Sequence, residues 1–168
     1  SDVYKRQVLS YYNENAAEKD LIQSAFIVID YTGTVQAVVG GLGEKPGDGA
    51  FNRATQATRS PGSTMKPIST YSLAVQKNLI TYSTLIPDEA INIGTQDEPQ
   101  IWPQNYGEVW GDGTLRTAWY GVQHSLNTLA VRVGRMNTTK AMYTQLTQML
   151  GFTTLVESVS YTHLTLPT

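Results

Sequence analysis

The sequence predicts a mixed α/β chain of the α+β kind, with an antiparallel strand pair first and helices after it. Two observations carry that reading. The runs at 24–30 and 34–40 are short, apolar and β-branched, and the turn Tyr31-Thr32-Gly33 separates them, which is the pattern of an antiparallel hairpin. Beyond residue 62, longer segments place apolar residues at helical spacing.

Taken in order, SAFIVID (24–30) is the first strand, and TVQAVVG (34–40) follows with Val35, Ala37 and Val39 on one face. The stretch GGLGEKPGDG (40–49) holds five of the chain's fourteen glycines and reads as a loop. Residues 63–78 read as a helix with Met65, Ile68, Ser72 and Val75 on one side. AINIG (90–94) is strand-like and leads into a long loop, 95–113, rich in Trp, Pro and Gly. Residues 114–134 read as helical, in two pieces hinged near Ser125. A last helix spans about 138–150 and stops at Gly151, a good C-terminal cap residue.

Composition narrows the function. The 168 residues suffice for one ordinary domain. Twelve Lys+Arg against fourteen Asp+Glu leave a net charge of −2, so no basic surplus exists to neutralise phosphates, and nucleic acid is not the expected partner. The absence of Cys removes disulfides, thiolate metal sites and Cys nucleophiles together. His124 and His163 are the only two histidines, which leaves no basis for a His-rich zinc site; no metal is expected. No apolar stretch approaches the ~20 residues of a membrane span. Residues 1–7 (SDVYKRQ) and 159–168 (SYTHLTLPT preceded by Val) continue no neighbouring period and resemble translated adapter sequence. They are expected to be non-native tails around a domain at 8–158, an ordinary frayed terminus being the plain alternative.

Arg59 to Pro67 (RSPGSTMKP) carries the chemistry. Pro61 and Gly62 break the chain, and Ser63 then opens a helix where free N–H groups and the positive dipole end favour a developing oxyanion. Lys66 follows one turn later, which places its amine over the same face. A serine hydroxyl needs a base to become a nucleophile, and a lysine serves as that base only when burial or nearby positive charge lowers its pKa. The bare S-x-x-K pattern is weak: eleven Ser and six Lys predict about 0.4 chance occurrences. Its weight comes from Ser125-Leu126-Asn127, an S-x-N that follows 62 residues later, because S-x-x-K with a later S-x-N marks the serine penicillin-recognising enzymes.

Around these two motifs, Phe51-Asn52-Arg53-Ala54-Thr55-Gln56-Ala57, Pro61-Gly62-Ser63-Thr64-Met65-Lys66-Pro67, Trp102-Pro103-Gln104-Asn105-Tyr106, Thr114-Leu115-Arg116-Thr117-Ala118 and Ser125-Leu126-Asn127 occur in order. Together they resemble the start of the transpeptidase domain of class A penicillin-binding proteins, over about residues 20–155. The resemblance implies a β-lactamase/transpeptidase-like fold, an antiparallel sheet covered by helices, here truncated on its C-terminal side. It implies Ser63 as the acylated nucleophile, Lys66 as its base, Ser125 as a proton relay to the leaving amine, and Asn127 as the residue holding Lys66 and the substrate's peptide carbonyl. A cap between two helices is the plain reading of Ser125 and Asn127.

Two departures stand out. Ser60 occupies a position where the family often has Gln. The family's third motif, K-T-G on an edge strand, is absent; Lys140 is followed by Ala and Met. The resemblance therefore implies a peptidoglycan D,D-transpeptidase acting on D-Ala-D-Ala stem peptides, with β-lactams as covalent inhibitors and no cofactor, in a piece that is itself expected to be inactive. It also implies a parent chain anchored at the extracytoplasmic face of the bacterial membrane, with an upstream glycosyltransferase domain. Two other functions share some of the residues. A serine β-lactamase needs an extra carboxylate, for which only Glu157 is available between Asn127 and the expected tail, and Leu126 replaces the Asp of that group's S-D-N. A non-catalytic sensor or interaction domain would keep the fold without the activity.

Trp119 is expected in the core and Trp102 and Trp110 in the loop, where they and Tyr106 could line a groove for a peptide or glycan strand. His124 abuts Ser125, but neighbours on a helix do not face each other, so a surface imidazole is expected. Asp97, Glu98 and Asp112 read as loop solvation. Arg116 reads as a partner for an acidic neighbour.

Overall fold

Asp30 decides where the first strand pair turns. Its carboxylate accepts hydrogen bonds from the backbone N–H of Thr32 (2.8 Å) and Thr34 (3.0 Å), from the Thr32 hydroxyl (2.6 Å) and from Gln36 Nε2 (2.6 Å). Those donors pull its pKa down to about 2, the Thr32 hydroxyl contributing most. Strands β1 (Phe26–Ile29) and β2 (Val35–Val39) pair antiparallel around this turn, Phe26 opposite Val39 and Ile29 opposite Val35. Between Val28 and Ile29 the register slips by one, leaving Gln36 as the extra residue of a bulge. The period of two that the sequence suggests for Val35, Ala37 and Val39 is thus interrupted at its first step. Phe26, Ile27, Val28, Ile29, Val35 and Val38 are all exposed, so neither face of the hairpin is a buried one.

The computed structural model describes residues 23–43, 47 and 49–155; the expected tails at 1–7 and 159–168, and Glu157, lie outside them. The chain divides into two compact units, Ser1–Arg59 and Ser60–Thr168. In the first, helix α1 (Arg53–Gln56) follows the hairpin. Asn52 caps it by accepting from Ala54 N–H (3.0 Å), and Gln56 Oε1 accepts from Asn52 N–H in return (2.7 Å). A Cβ on Gly40 would lie 2.5 Å from Asn52 Oδ1, so only glycine lets the second strand approach this cap.

The second unit is built on a helix over residues 62–76 that changes its winding twice. Gly62–Thr64 is a 3-10 turn, Lys66–Tyr71 is π-wound, and α2 (Ser72–Gln76) is regular. The wide π turn is held by side-chain donors. Ser69 Oγ reaches the Met65 carbonyl (2.8 Å), Gln145 Nε2 and Ser72 Oγ reach that of Ile68 (both 2.8 Å), and Asn137 Nδ2 reaches that of Thr70 (3.0 Å). The extra residue per turn rotates everything after it. Of the four residues placed on one side, Met65 is buried and Val75 half-buried while Ile68 and Ser72 are exposed, and Ser69, Thr70, Leu73 and Ala74 complete the buried side.

Short strands and four further helical segments surround this helix. β3 (Leu85–Pro87) pairs antiparallel with β6 (Leu115–Thr117), and β4 (Ile91–Asn92) with β5 (Ile101–Trp102). With the hairpin this makes three two-stranded antiparallel sheets among the described residues, in accord with the mixed fold class. Two details differ from the sequence reading. Residues 115–117 are strand rather than helix, and the loop 95–113 contains β5. Helices α3 (Ala118–Gln123), α4 (Asn127–Met136) and α5 (Thr139–Thr144) follow, the last running on as a π-wound turn Gln145–Met149 that ends before Gly151. Tyr71, Ala74, Ile80, Ile86, Ala118, Leu129, Ala130 and Val133 form one core cluster. Met65, Leu73, Met142 and Leu146 form the other. The helix at 62–76 contributes to both. Gly121 permits the closest approach in the first cluster, since a Cβ there would lie 2.7 Å from Leu129 Cδ2.

Candidate active site

Lys66 is the residue that chemistry does not expect to find where it lies. It is 2% exposed, and lysine is almost never fully buried unless paired. Among the described residues no carboxylate pairs with it. Its ammonium has three N–H donors and meets three acceptors: the Ser125 carbonyl (2.7 Å), Ser125 Oγ (3.3 Å) and Asn127 Oδ1. These are neutral oxygens, so hydrogen bonding is satisfied while the charge is not. Burial accordingly pushes the amine down from 10.5 to about 8. At pH 7 about a tenth of the molecules then carry a neutral Lys66, against fewer than about one in a thousand for an ordinary lysine.

Ser125 reaches Lys66 because of how α3 ends. Leu126 N–H bonds back to the Gly121 carbonyl (3.0 Å) and Ser125 N–H to that of Val122 (3.2 Å), the two-bond Schellman closure of a helix. That closure needs a left-handed residue, and Ser125 supplies it with φ of 51°. Glycine is the usual occupant, and a side chain there costs roughly 1–2 kcal/mol. Serine in this position brings both a carbonyl and a hydroxyl to the amine of Lys66. The hinge that the sequence suggested near Ser125 is this turn.

Asn127 opens α4, and its amide is oriented by what surrounds it. Nδ2 donates to the Gln104 carbonyl (2.7 Å), so Oδ1 is the atom left to face Lys66. Leu126, the residue before the helix, offers no side-chain cap. Asn105 acts in its place, its Oδ1 accepting from the N–H of Asn127 (2.8 Å) and Thr128 (3.3 Å). Asp88, 4% exposed, accepts from Asn105 Nδ2 (3.1 Å), Thr128 Oγ1 (2.6 Å) and Arg116 Nε (3.0 Å). Arg116 also bonds Asp112 (2.9 Å), so its expected acidic partners are Asp88 and Asp112.

Three of the four candidate residues, Lys66, Ser125 and Asn127, are therefore brought into one hydrogen-bonded group. Ser63 stands apart from it. It lies exposed in the 3-10 turn at Gly62–Thr64, three residues before Lys66, and among the described residues no hydrogen bond joins its hydroxyl to that group. His124 is exposed and stacks on Tyr120 with ring centroids 4.0 Å apart, a surface imidazole as expected. Trp119 departs from expectation: it is 61% exposed. The helix carrying it begins only at Ala118, and Ala118 and Gly121 already occupy its inner face. Trp110 and Tyr106 are exposed too. Asp88 was not singled out from the sequence, and Gln104 and Asn105 were noticed only as part of a motif. The signal available for Gln104 and Asn105 was their place in that ordered series beside Asn127; Asp88 lies outside the series and carried none.

A family model described as "Penicillin binding protein transpeptidase domain" matches residues 5–158. Penicillin-binding protein 1A of Neisseria lactamica is 40% identical over 120 residues, which cover 69% of this chain and 14% of that protein. The protein of the same name from Aquifex aeolicus is 34% identical over 133 residues, 77% of this chain and 18% of the relative. The chain thus spans less than a fifth of the length of these relatives. The crystal structure of penicillin-binding protein 1A from Haemophilus influenzae is similar with a TM-score of 0.65 and 26% identity, over 86% of this chain and 21% of that one.

Proposed function

Because the chain belongs to the penicillin-binding protein transpeptidase family, we propose that its residues 60–155 carry the serine–lysine centre of a peptidoglycan D,D-transpeptidase. The observation that carries this reading is the buried Lys66, whose amine lies among the oxygens of Ser125 and Asn127 with its pKa lowered to about 8. A general base works best when its pKa lies near the operating pH, and this environment brings a lysine within reach of that condition.

In the proposed reaction the neutral amine of Lys66 removes the proton of Ser63 Oγ, which attacks the carbonyl between the two terminal D-alanines of a stem peptide. The tetrahedral oxyanion forms beside the Ser63 N–H. As it collapses, the C–N bond breaks, the proton held by Lys66 passes through Ser125 Oγ to the departing D-alanine, and an ester on Ser63 remains. An amine of a second stem attacks that ester, gives a proton to the neutral Lys66 and forms the cross-linking amide as the Ser63 C–O bond breaks, and Lys66 returns that proton to Ser63 Oγ. A β-lactam would be opened by the same attack. Asn127 would hold Lys66 with Oδ1 and face the substrate with the rest of its amide. No cofactor takes part. The parent protein would work at the extracytoplasmic face of a bacterial membrane, anchored there and joined to an upstream glycosyltransferase domain. The β-lactamase and non-catalytic sensor readings are not favoured, since Leu126 replaces the Asp of the β-lactamase S-D-N and Ser63, Lys66, Ser125 and Asn127 are all intact.

The test is covalent labelling with a fluorescent penicillin, on this chain, its Ser63→Ala variant and a form extended through a Lys-Thr-Gly strand. The extended form should label at Ser63, and Ser63→Ala should abolish the label. The 168-residue chain should label at least about a hundredfold more slowly, because one missing oxyanion donor typically costs 10²–10³ in rate. No label at Ser63 in the extended form would refute the proposed nucleophile.

A further inference from the structure

We propose that Asn105 is a positioning residue for the Lys66 centre, setting the orientation of the Asn127 amide from a loop that touches neither reacting group. The inference rests on the reading of Lys66 and Asn127 given above, and it concerns how that pair is held.

An asparagine amide has an oxygen that accepts and a nitrogen that donates, and reversing it inverts its chemistry. Asn127 serves Lys66 only with its oxygen inward. Two neighbours of fixed chemistry impose that choice, because the Gln104 carbonyl can only accept from Nδ2 and the Lys66 ammonium can only donate to Oδ1. The Gln104 carbonyl is one peptide bond from Asn105, whose own amide is fixed from both ends. Asp88 can only accept from its Nδ2, and the Asn127 and Thr128 N–H groups can only donate to its Oδ1. Its backbone N–H is tied to the Val109 carbonyl as well (2.8 Å). Asp88 is in turn held by Arg116 and Thr128. The series runs without a free choice from the Asp88–Arg116 ion pair to the buried lysine.

Asn105 also does what Leu126 cannot, which is to cap α4. Capping and orientation are thus joined in one side chain. If the Asn105 side chain is lost, the first N–H groups of α4 lose their acceptor, and the peptide that carries the Gln104 carbonyl keeps only its backbone bond to Val109 and loses its ties to Asp88 and α4. The helix start and the Asn127 amide should then become mobile.

The test measures hydrogen exchange of the Asn127 side-chain amide by NMR in the 168-residue chain, with Thr138→Ala as the control. Thr138 caps α5 through Ala141 N–H (3.1 Å), so its removal costs stability without touching the site. Exchange at Asn127 should be at least tenfold faster in Asn105→Ala than in wild type or in Thr138→Ala. Combining Asn105→Asp with Asp88→Asn, which exchanges donor and acceptor across the pair, should bring it back to within about threefold of wild type. Should Asn105→Ala not fold, Asn105→Gln, which moves the amide out by one methylene, is read in the same way. In the form extended through Lys-Thr-Gly, Asn105→Ala should slow the acylation step at Ser63 tenfold or more and leave initial penicillin binding within about twofold. Exchange and acylation no different from the Thr138→Ala control would reduce Asn105 to a helix cap and overturn the proposal. Failure of Ser63 to label in the wild-type extended form would count against the proposed function alone, because the exchange measurement needs no acylation.

Discussion

The hairpin at Phe26–Val39 and the helical unit at 60–155 spend their polar and apolar residues in opposite ways. In the hairpin the apolar side chains are outside: Val28 is 55% and Ile29 58% exposed, and the best-satisfied polar group is Asp30 in the turn. In the helical unit, Leu129, Val133 and Met142 are wholly buried, and a lysine, an aspartate and several amides are buried with them. The hairpin is therefore specified by local chemistry, a turn and a bulge. The helical unit is specified by tertiary contacts, and its core must also support Lys66. A buried amine that titrates at about 8 instead of 10.5 binds fewer protons folded than unfolded between those values. Stability contributed at this site thus rises with pH across that window and is lowest below pH 8.

The largest difference between the regions should appear on truncating apolar side chains. Leu129→Ala removes atoms from a site with 0% exposure and should cost about 2–5 kcal/mol. Val28→Ala, on the exposed hairpin, should stay within about 0.5 kcal/mol. Urea unfolding followed by tryptophan fluorescence measures the first, since Trp102, Trp110 and Trp119 all belong to the second unit, and amide exchange at Ile27 and Val38 in the hairpin measures the second. Equal costs for the two variants would break the comparison and place Val28 in a buried setting.

A smaller effect, confined to the hairpin, should follow acidification. Asp30 titrates at about 2 when folded, below its ordinary 3.8, so its support of the turn is complete above about pH 4 and is lost as pH falls towards 2. Amide exchange at Thr32 and Thr34, corrected for intrinsic pH dependence, should quicken over that window in wild type. In Asp30→Asn it should show no such step. A step of the same size in the variant would remove Asp30 as its cause.

How much of this was readable beforehand follows the same division. The hairpin was legible because Asp30 to Thr34 and the flanking β-branched residues are local signals. The break at Ser125 was legible because Ser and Asn between helical runs mark a helix boundary. Strand β6 was hidden, since Leu115–Thr117 is too short to show a period of two and pairs with Leu85–Pro87 some thirty residues earlier. The inner face of 66–71 was misread because its π winding depends on Asn137 and Gln145, seventy residues later. Asp88 looks like any acid after a proline until its burial against Asn105, Thr128 and Arg116 is seen. At the candidate site, spacing singled out Ser63, Lys66, Ser125 and Asn127, and the fold brings the last three of them together. What spacing could not convey is that Lys66 turns to Ser125 and Asn127 and makes no bond to Ser63.

The serine–lysine reaction proposed for this unit depends on Lys66 being an amine that can lose its proton near neutrality. The direct measurement is an NMR titration of the chain with lysine labelled at 13Cε, assigned through Lys66→Arg. One lysine should show a midpoint near 8, and that titration should be absent from the variant. A Lys66 that titrates near its ordinary 10.5 would be the contradicting result, because the amine would then remain protonated at neutral pH and could not serve as the base.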